Sequence, residues 1–252
     1  MTSIVRPRLH APRRDDHKFS RGMVVVVQGA MPGAAMLAAQ GAMHGGAGYV
    51  VLAGRDPTPG APHALVRRQV KDLAQLVGDQ RIGAILIGPG LGEEERWVAQ
   101  AVASRHSLVI DGDALTAALT EALAGRAAPV VLTPHSGEFD RMFGTGPAAK
   151  QARTVDAARL TGAVIVNKGA DTIISDGDRT ACLGDASSWL STAGTGDVLA
   201  GLIAARLACG GDALAAANEG VWLHARAARL AGAALIADDL IGHIPAAIAE
   251  CL

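Results

Sequence analysis

"STAGTGDVLAGLIAA", residues 191–205, sets two glycines, a threonine and an aspartate against the first turn of a strongly helical run. The first amides of a helix lack an intrahelical acceptor and carry the positive end of its dipole. A glycine lead-in lets an anion reach them without meeting a Cβ. The stretch reads as a helix opening at Thr195, with an anion cradle formed by Gly194, Thr195 and Gly196. Asp197 stands beside that cradle. There the helix field is expected to keep a carboxylate ionised and able to take a proton from a hydroxyl next to a phosphate. A plainer account stands beside this one: Asp197 favours a first turn, while Leu199, Ile203 and Leu207 at fourfold spacing bury the helix.

Working outward, the β-branched runs "MVVVV" (23–27), "YVVL" (49–52), "AILIG" (84–88), "LVID" (108–111), "VVLT" (130–133) and "AVIVN" (163–167) read as buried strands. Segments 34–43, 93–105 and 114–122 between them have helical spacing and good helix formers. Strand alternates with helix, which predicts an α/β fold: a mostly parallel sheet covered on both faces. After residue 168 "TIISD", the turn signal "DGD" and "RTACL" predict an antiparallel hairpin. Three helices over 195–208, 212–230 and 237–251 then finish the chain, with Pro245 a kink or restart in the last. No linker or repeat divides residues 1–252, so one domain is expected. "GRDPTPGAP" (54–62) reads as a surface loop, and residues 1–20 as an extended, solvated arm.

Composition narrows the function. Aromatics make up 3% of a chain that is 50% hydrophobic, so the core must be aliphatic and closely packed. A net charge of -1 gives no basic field for wrapping a polyanion, which argues against nucleic-acid binding. Cys182, Cys209 and Cys251 are too far apart for a zinc or redox motif and suit a reducing cytoplasm. Every apolar run is interrupted before it reaches membrane-spanning length, so a soluble cytoplasmic protein is expected. His44, His63, His106, His224 and His243 have no partners at metal-ligand spacing and read as surface or satisfied core residues. No protein metal site is expected.

Other strand ends carry glycines as well. "IGPGLG" (87–92), "LTPHSGEF" (132–139) and "NKGADTII" (167–174) each follow a predicted strand, where ligand crevices form in open α/β sheets. His135 and Glu138 fit an ordinary first helical turn, and Lys168 either faces phosphate or is solvated. Asp111 and Asp113 in "VIDGDAL" either approach a metal or cap the next helix, and the cap is the commoner role.

Together these blocks carry a resemblance. "MPGAAMLAAQGAMHGGAGYVVL", "IGPGLG", "VIDGDAL", "LTPHSGEF", "NKGADTII", "AGTGDVLAGLIAARLA" and "ADDLIGHIPAAI", with "RRDDHKFSRG" near the start, occur in the order seen in ADP/ATP-dependent NAD(P)H-hydrate dehydratases, a ribokinase-like family. The resemblance covers nearly the whole chain and implies a three-layer α/β/α ribokinase-like fold. It also implies nucleotide-dependent dehydration of NADHX or NADPHX, the hydrated forms of the nicotinamide cofactors, in metabolite repair. By resemblance, Asp197 is the base, and it meets the substrate together with Ala34, Gly90 and His135. Lys168, Gly169, Ala170, Asp171, Thr172, Gly194, Thr195 and Gly196 match the positions that bind the nucleotide, ADP or ATP, with Mg²⁺ bridging its phosphates. A homotetramer is implied, with a separate epimerase as functional partner, since no epimerase domain is recognised in these residues.

The chain departs from the family pattern in three places. "HKFSRG" lacks the glycine usual after His-Lys, "QGAMPG" (28–33) is shorter than the common loop, and "GDASSWLSTAG" (184–194) lacks an Asn-Gly element, with Ser187 near its place. Two other readings share Asp197 and its loop: a small-molecule kinase of the same superfamily, and a non-catalytic nucleotide-binding relative.

Overall fold

A computed structural model describes all of Met1–Leu252. Ten strands form one sheet: β1 (Thr2–Ser3), β2 (Met23–Val27), β3 (Tyr49–Gly54), β4 (Val66–Gln69), β5 (Ile82–Ile87), β6 (Ser107–Ile110), β7 (Val130–Leu132), β8 (Val164–Asn167), β9 (Thr172–Ser175) and β10 (Thr180–Leu183). Eight helices accompany them: α1 (Pro32–His44), α2 (Glu95–Ala103), α3 (Leu119–Ala122), α4 (Ser136–Phe143), α5 (Lys150–Thr161), α6 (Thr195–Ala208), α7 (Ala213–Ala231) and α8 (Ala237–Ala249). The strand order is β1-β10-β9-β8-β7-β6-β5-β2-β3-β4. From β4 through β8 every pairing is parallel, and β9 and β10 form the expected antiparallel hairpin. No helix is long and apolar enough to cross a membrane.

The strands are apolar at successive positions because both faces are covered. Val25, Ile85, Ile87, Leu108 and Ile110 pack on one side with Trp97 of α2 and Phe139 of α4. Val24, Val26, Leu86, Val109 and Val131 pack on the other with α1, α6 and α7. Alternate residues of one strand thus enter two different cores, as a period of two requires. On the second side α1 and α6 cross with their backbones almost touching. A Cβ on Gly201 would lie 2.0 Å from the Ala38 carbonyl, and one on Gly41 would lie 2.6 Å from that of Val198. Only glycine allows this approach.

Several sequence expectations need correction. Residues 114–122 are not one helix: a 3-10 turn spans Gly112–Ala114, and only Leu119–Ala122 is α-helical. Leu115, at φ -82° and ψ 88°, breaks the path between them. The fourfold spacing is still used, since Leu115, Leu119 and Leu123 are all buried. Pro245 does not restart the last helix; α8 runs through it. The arm is not freely solvated: Thr2–Ser3 pairs with β10, and Leu9 is buried, its amide donating to the Cys251 carbonyl at 2.8 Å. Strand β4, on the far edge, carries Arg67 and Arg68, and charge of this kind discourages further pairing.

Candidate active site

In a parallel sheet all C-terminal strand ends open on one edge, and the glycine-bearing turns lie there side by side. β5, β6, β7 and β8 are neighbours, so Gly88–Gly92, Asp111, Thr133–His135 and Lys168–Gly169 form a row. Hydrogen bonds join the row. The Lys168 amide donates to the Pro134 carbonyl at 2.8 Å, and Asp113 accepts from the Gly92 amide at 2.9 Å. The Gly90 carbonyl accepts from the Met31 amide at 2.8 Å. A Cβ on Gly90 would lie 3.0 Å from that of Ala34, so the turn after β5 lies close against the first turn of α1.

Helix α6 points its first turn at this row. Gly194, at φ +88°, is its N-cap and has no side-chain cap, which leaves the amides of the first turn without a side-chain acceptor. Thr195 turns its hydroxyl backward, donating to the Leu190 and Thr192 carbonyls at 2.8 and 2.9 Å, and so pins the preceding loop. Over the other side hangs Lys168, whose Nζ would be 3.3 Å from a Cβ on Gly196. Its ammonium donates to Asp111 at 2.8 Å, and the same carboxylate oxygen accepts from Thr133 Oγ1 at 2.7 Å. Asp111 therefore does not cap the following turn, as its position suggested; it is spent on Lys168.

Electrostatics here run against the simple helix-field expectation for Asp197. Burial first, then the negative charge of Asp111, push its carboxyl up to about 6, against an opposing pull from Lys168. Loss of water and a second carboxylate nearby both disfavour the charged form. A carboxyl poised there is mostly ionised at pH 7 yet basic enough to accept a proton, a better setting for a general base than an ordinary aspartate. Burial alone would lower Lys168, but the charge and hydrogen bond of Asp111, with Glu138 and Asp197 beyond, hold it above the usual lysine range.

Beside the α6 terminus lies a cavity of about 750 Å³, lined among others by His135, Lys168, Gly169, Ala170, Thr172, Thr195 and Gly196. Asp171 and Gly194 flank it without lining it. Gly194 borders Leu37 and Ala237, and Asp171 is exposed on the loop after β8. His135 is the N-cap of α4: its Nδ1 accepts from the Gly137 amide at 3.0 Å, and Glu138 returns the contact to the His135 amide at 2.8 Å. It thus borders the cavity, while Ala34 and Gly90 meet at the other end of the row. No group of three or more His, Cys, Asp or Glu converges as a metal cage.

The family model for NAD(P)H-hydrate dehydratase matches residues 24–247, which takes in every one of these strand ends. The chain belongs to that family. The bifunctional NAD(P)H-hydrate repair enzyme Nnr of Mycobacterium leprae is 35% identical over 94% of this chain and 53% of its own length. The chain thus spans about half the length of such bifunctional relatives. The ADP-dependent (S)-NAD(P)H-hydrate dehydratase of Neisseria meningitidis serogroup B is 35% identical over 98% of this chain and 90% of its own. In three dimensions the chain is similar to the ADP/ATP-dependent NAD(P)H-hydrate dehydratase of Bacillus subtilis, co-crystallised with ATP/Mg²⁺. There the TM-score is 0.84 at 27% identity, covering 97% of this chain and 95% of that one. The fold is the ribokinase-like α/β architecture of these dehydratases.

Two residues of this dehydratase-family site had no distinguishing signal in the sequence. Lys150, at the start of α5, donates from Nζ to the carbonyls of Lys168 at 3.1 Å and Asp171 at 2.6 Å, clamping the loop after β8 from behind. Burial lowers its pKa, with Asp171 pulling the other way. His224 of α7 lies on the cavity wall, buried, with Nε2 2.9 Å from the Thr195 carbonyl. Both contacts close only in the folded chain, and neither residue sits in a recognisable pattern.

Proposed function

We propose that this protein dehydrates NADHX or NADPHX at the expense of ADP or ATP, returning the dihydronicotinamide. The observation that carries the reading is the pairing of a raised-pKa carboxyl, Asp197, with the uncapped first turn of α6 beneath Lys168. Family membership over residues 24–247 supports it.

In this reading the cavity takes the nucleotide, with its terminal phosphate at the amides of Gly194, Thr195 and Gly196 and the loop Lys168–Thr172 around the rest. Preorganised amides and an ammonium stabilise the charge that builds on a transferring phosphoryl group. The hydrated ring enters from the side of Ala34 and Gly90, with His135 across the row. Asp197 takes the proton of the ring hydroxyl as its oxygen attacks the terminal phosphorus, and the bond to the bridging oxygen breaks, releasing the shorter nucleotide. The ring nitrogen lone pair then expels phosphate, and loss of a proton from the adjacent carbon restores the double bond. Hydroxide is a poor leaving group and phosphate a good one, which is what the nucleotide is spent on.

Mg²⁺, if it accompanies the nucleotide, would be held chiefly by the nucleotide itself, since no protein metal cage is present, and would supply charge neutralisation there.

The test is to mix purified protein with NADHX, Mg²⁺ and either nucleotide. Recovery of dihydronicotinamide absorbance with release of one phosphate per ring is expected. Nucleotide consumption only with another alcohol, or no turnover at all, overturns the reading in favour of a kinase or a binding protein.

A further inference from the structure

The turn that follows β5 is shaped by glycine. Gly88, Gly90 and Gly92 take φ values of +121°, +56° and +71°, a path open to glycine but one that glycine, with its wide conformational freedom, does not hold unaided. Leu91, 1% exposed, anchors the middle of the turn in the core beneath it. Both ends are held by one residue, which follows β6. The Asp113 amide donates to the Gly88 carbonyl at 3.2 Å, and Asp113 Oδ2 accepts from the Gly92 amide at 2.9 Å. Asp113 thus closes the turn from both sides, and only the second contact needs its side chain.

The turn also carries the entry to α1. The Met31 amide donates to the Gly90 carbonyl at 2.8 Å and the Ala30 amide to that of Leu91 at 3.2 Å, while a Cβ on Gly29 would lie 2.1 Å from the Leu91 oxygen. The two backbones touch, so a shift of the turn displaces Gly90 together with the residues that lead into Ala34. The loop Lys168–Thr172 is held separately, through the Pro134 carbonyl and the Lys150 ammonium.

We propose that Asp113 is a positioning residue for the hydrated dinucleotide: its carboxylate fixes the Gly88–Gly92 turn, and through it Gly90 and the entry to α1, in the conformation that receives the ring. The inference rests on the reading that the ring enters from the side of Ala34 and Gly90.

Asp113→Ala and Asp113→Asn test it, because the asparagine amide oxygen can accept from Gly92 and alanine cannot. Asp113 also adds, after burial, Asp111 and Glu138, to the raising of Asp197 to about 6, so the assays are run at pH 8, where that carboxyl is ionised in every variant. Asp113→Ala is expected to raise KM for NADHX about ten-fold, with kcat and the KM for the nucleotide changed by no more than about two-fold. Asp113→Asn should keep all three near their wild-type values. An equal rise in both KM values, a fall in kcat alone, or no change in Asp113→Ala overturns the proposal, as does an asparagine variant as impaired as the alanine one. Amide exchange at Gly92, followed by NMR, reads the clamp without turnover: it is expected to quicken at least about ten-fold in Asp113→Ala and to stay slow in Asp113→Asn. Unchanged exchange in Asp113→Ala overturns the clamp whatever the kinetics show. Absence of NADHX turnover by the wild-type protein, with exchange at Gly92 still quickened in Asp113→Ala, instead removes the functional reading and the positioning role with it. Should Asp113→Ala not fold, Asp113→Glu replaces it. Its charge is kept but its oxygens are displaced by one methylene, so the same selective rise in KM is required.

Discussion

Lys168 and Asp111 stand 57 residues apart in sequence and meet at 2.8 Å, with the ammonium poised against the first turn of α6 at Gly196. One carboxylate thereby acts on two groups. It anchors the cation that stands over the first turn of α6, and its charge helps to raise Asp197 to about 6.

Asp111→Asn separates these effects. Removing a negative charge that raises Asp197, and freeing Lys168 to pull on it, moves the acidic limb of the rate profile below about 6. Loss of the charged hydrogen bond is expected to cut kcat/KM by about 10- to 100-fold. A pH profile of kcat measures the shift; a limb that stays in place or moves upward contradicts the coupling.

Asp197→Asn should lower turnover by about 10²- to 10⁴-fold with nucleotide affinity largely kept. It should also stabilise the fold. The folded pKa of about 6 lies above the ordinary 3.8, so the folded state holds more protons than the unfolded one between those values, and stability falls as pH rises through that window. Above about 6 the whole cost is present, on the order of 1–3 kcal/mol. The amide escapes it, so Tm of the variant is expected to exceed that of the wild type at pH 8 and to match it near pH 4.

Gly196→Val should weaken nucleotide binding at least about ten-fold by calorimetry. Even a Cβ there would lie 3.3 Å from Lys168 Nζ, and branching at that carbon fills the space over the free amides. Unaltered affinity would show that phosphate does not use this turn.

Lys150→Met removes the clamp behind the loop after β8 while keeping the side-chain length. With both carbonyls released, KM for the nucleotide is expected to rise by about ten-fold and kcat to change little, since the lysine touches the loop and not the reacting atoms. Lys150→Arg, which still offers donors, should recover part of the loss. A fall in kcat alone would place the residue elsewhere in the reaction.

The buried strands were legible because their β-branched runs have no other stable place, and Thr195 was legible as a helix start because a glycine on either side leaves little choice. Segment 114–122 misled for a physical reason. Leu115, Leu119 and Leu123 keep a helical rhythm of burial, but that rhythm is satisfied by packing on the sheet while the backbone turns otherwise. The arm was misread because what holds Leu9 is the far end of the chain, Cys251. Asp111 was misread for the same kind of reason: Lys168, just past the end of β8, takes its carboxylate in place of the local turn. The helix start at Asp197 is visible in sequence, but the desolvation and the Asp111 charge that raise its pKa exist only once the neighbouring strands are in place.

The glycine contact between α1 and α6 also bears on how the family can change. Side chains between two helices act as a compressible spacer that substitution can thicken or thin, and here Gly41 and Gly201 leave no spacer at all. The span from residue 34 to residue 197 is therefore a main-chain dimension. A change in the separation of those two positions is expected to come from the surrounding loops rather than from these two backbone contacts.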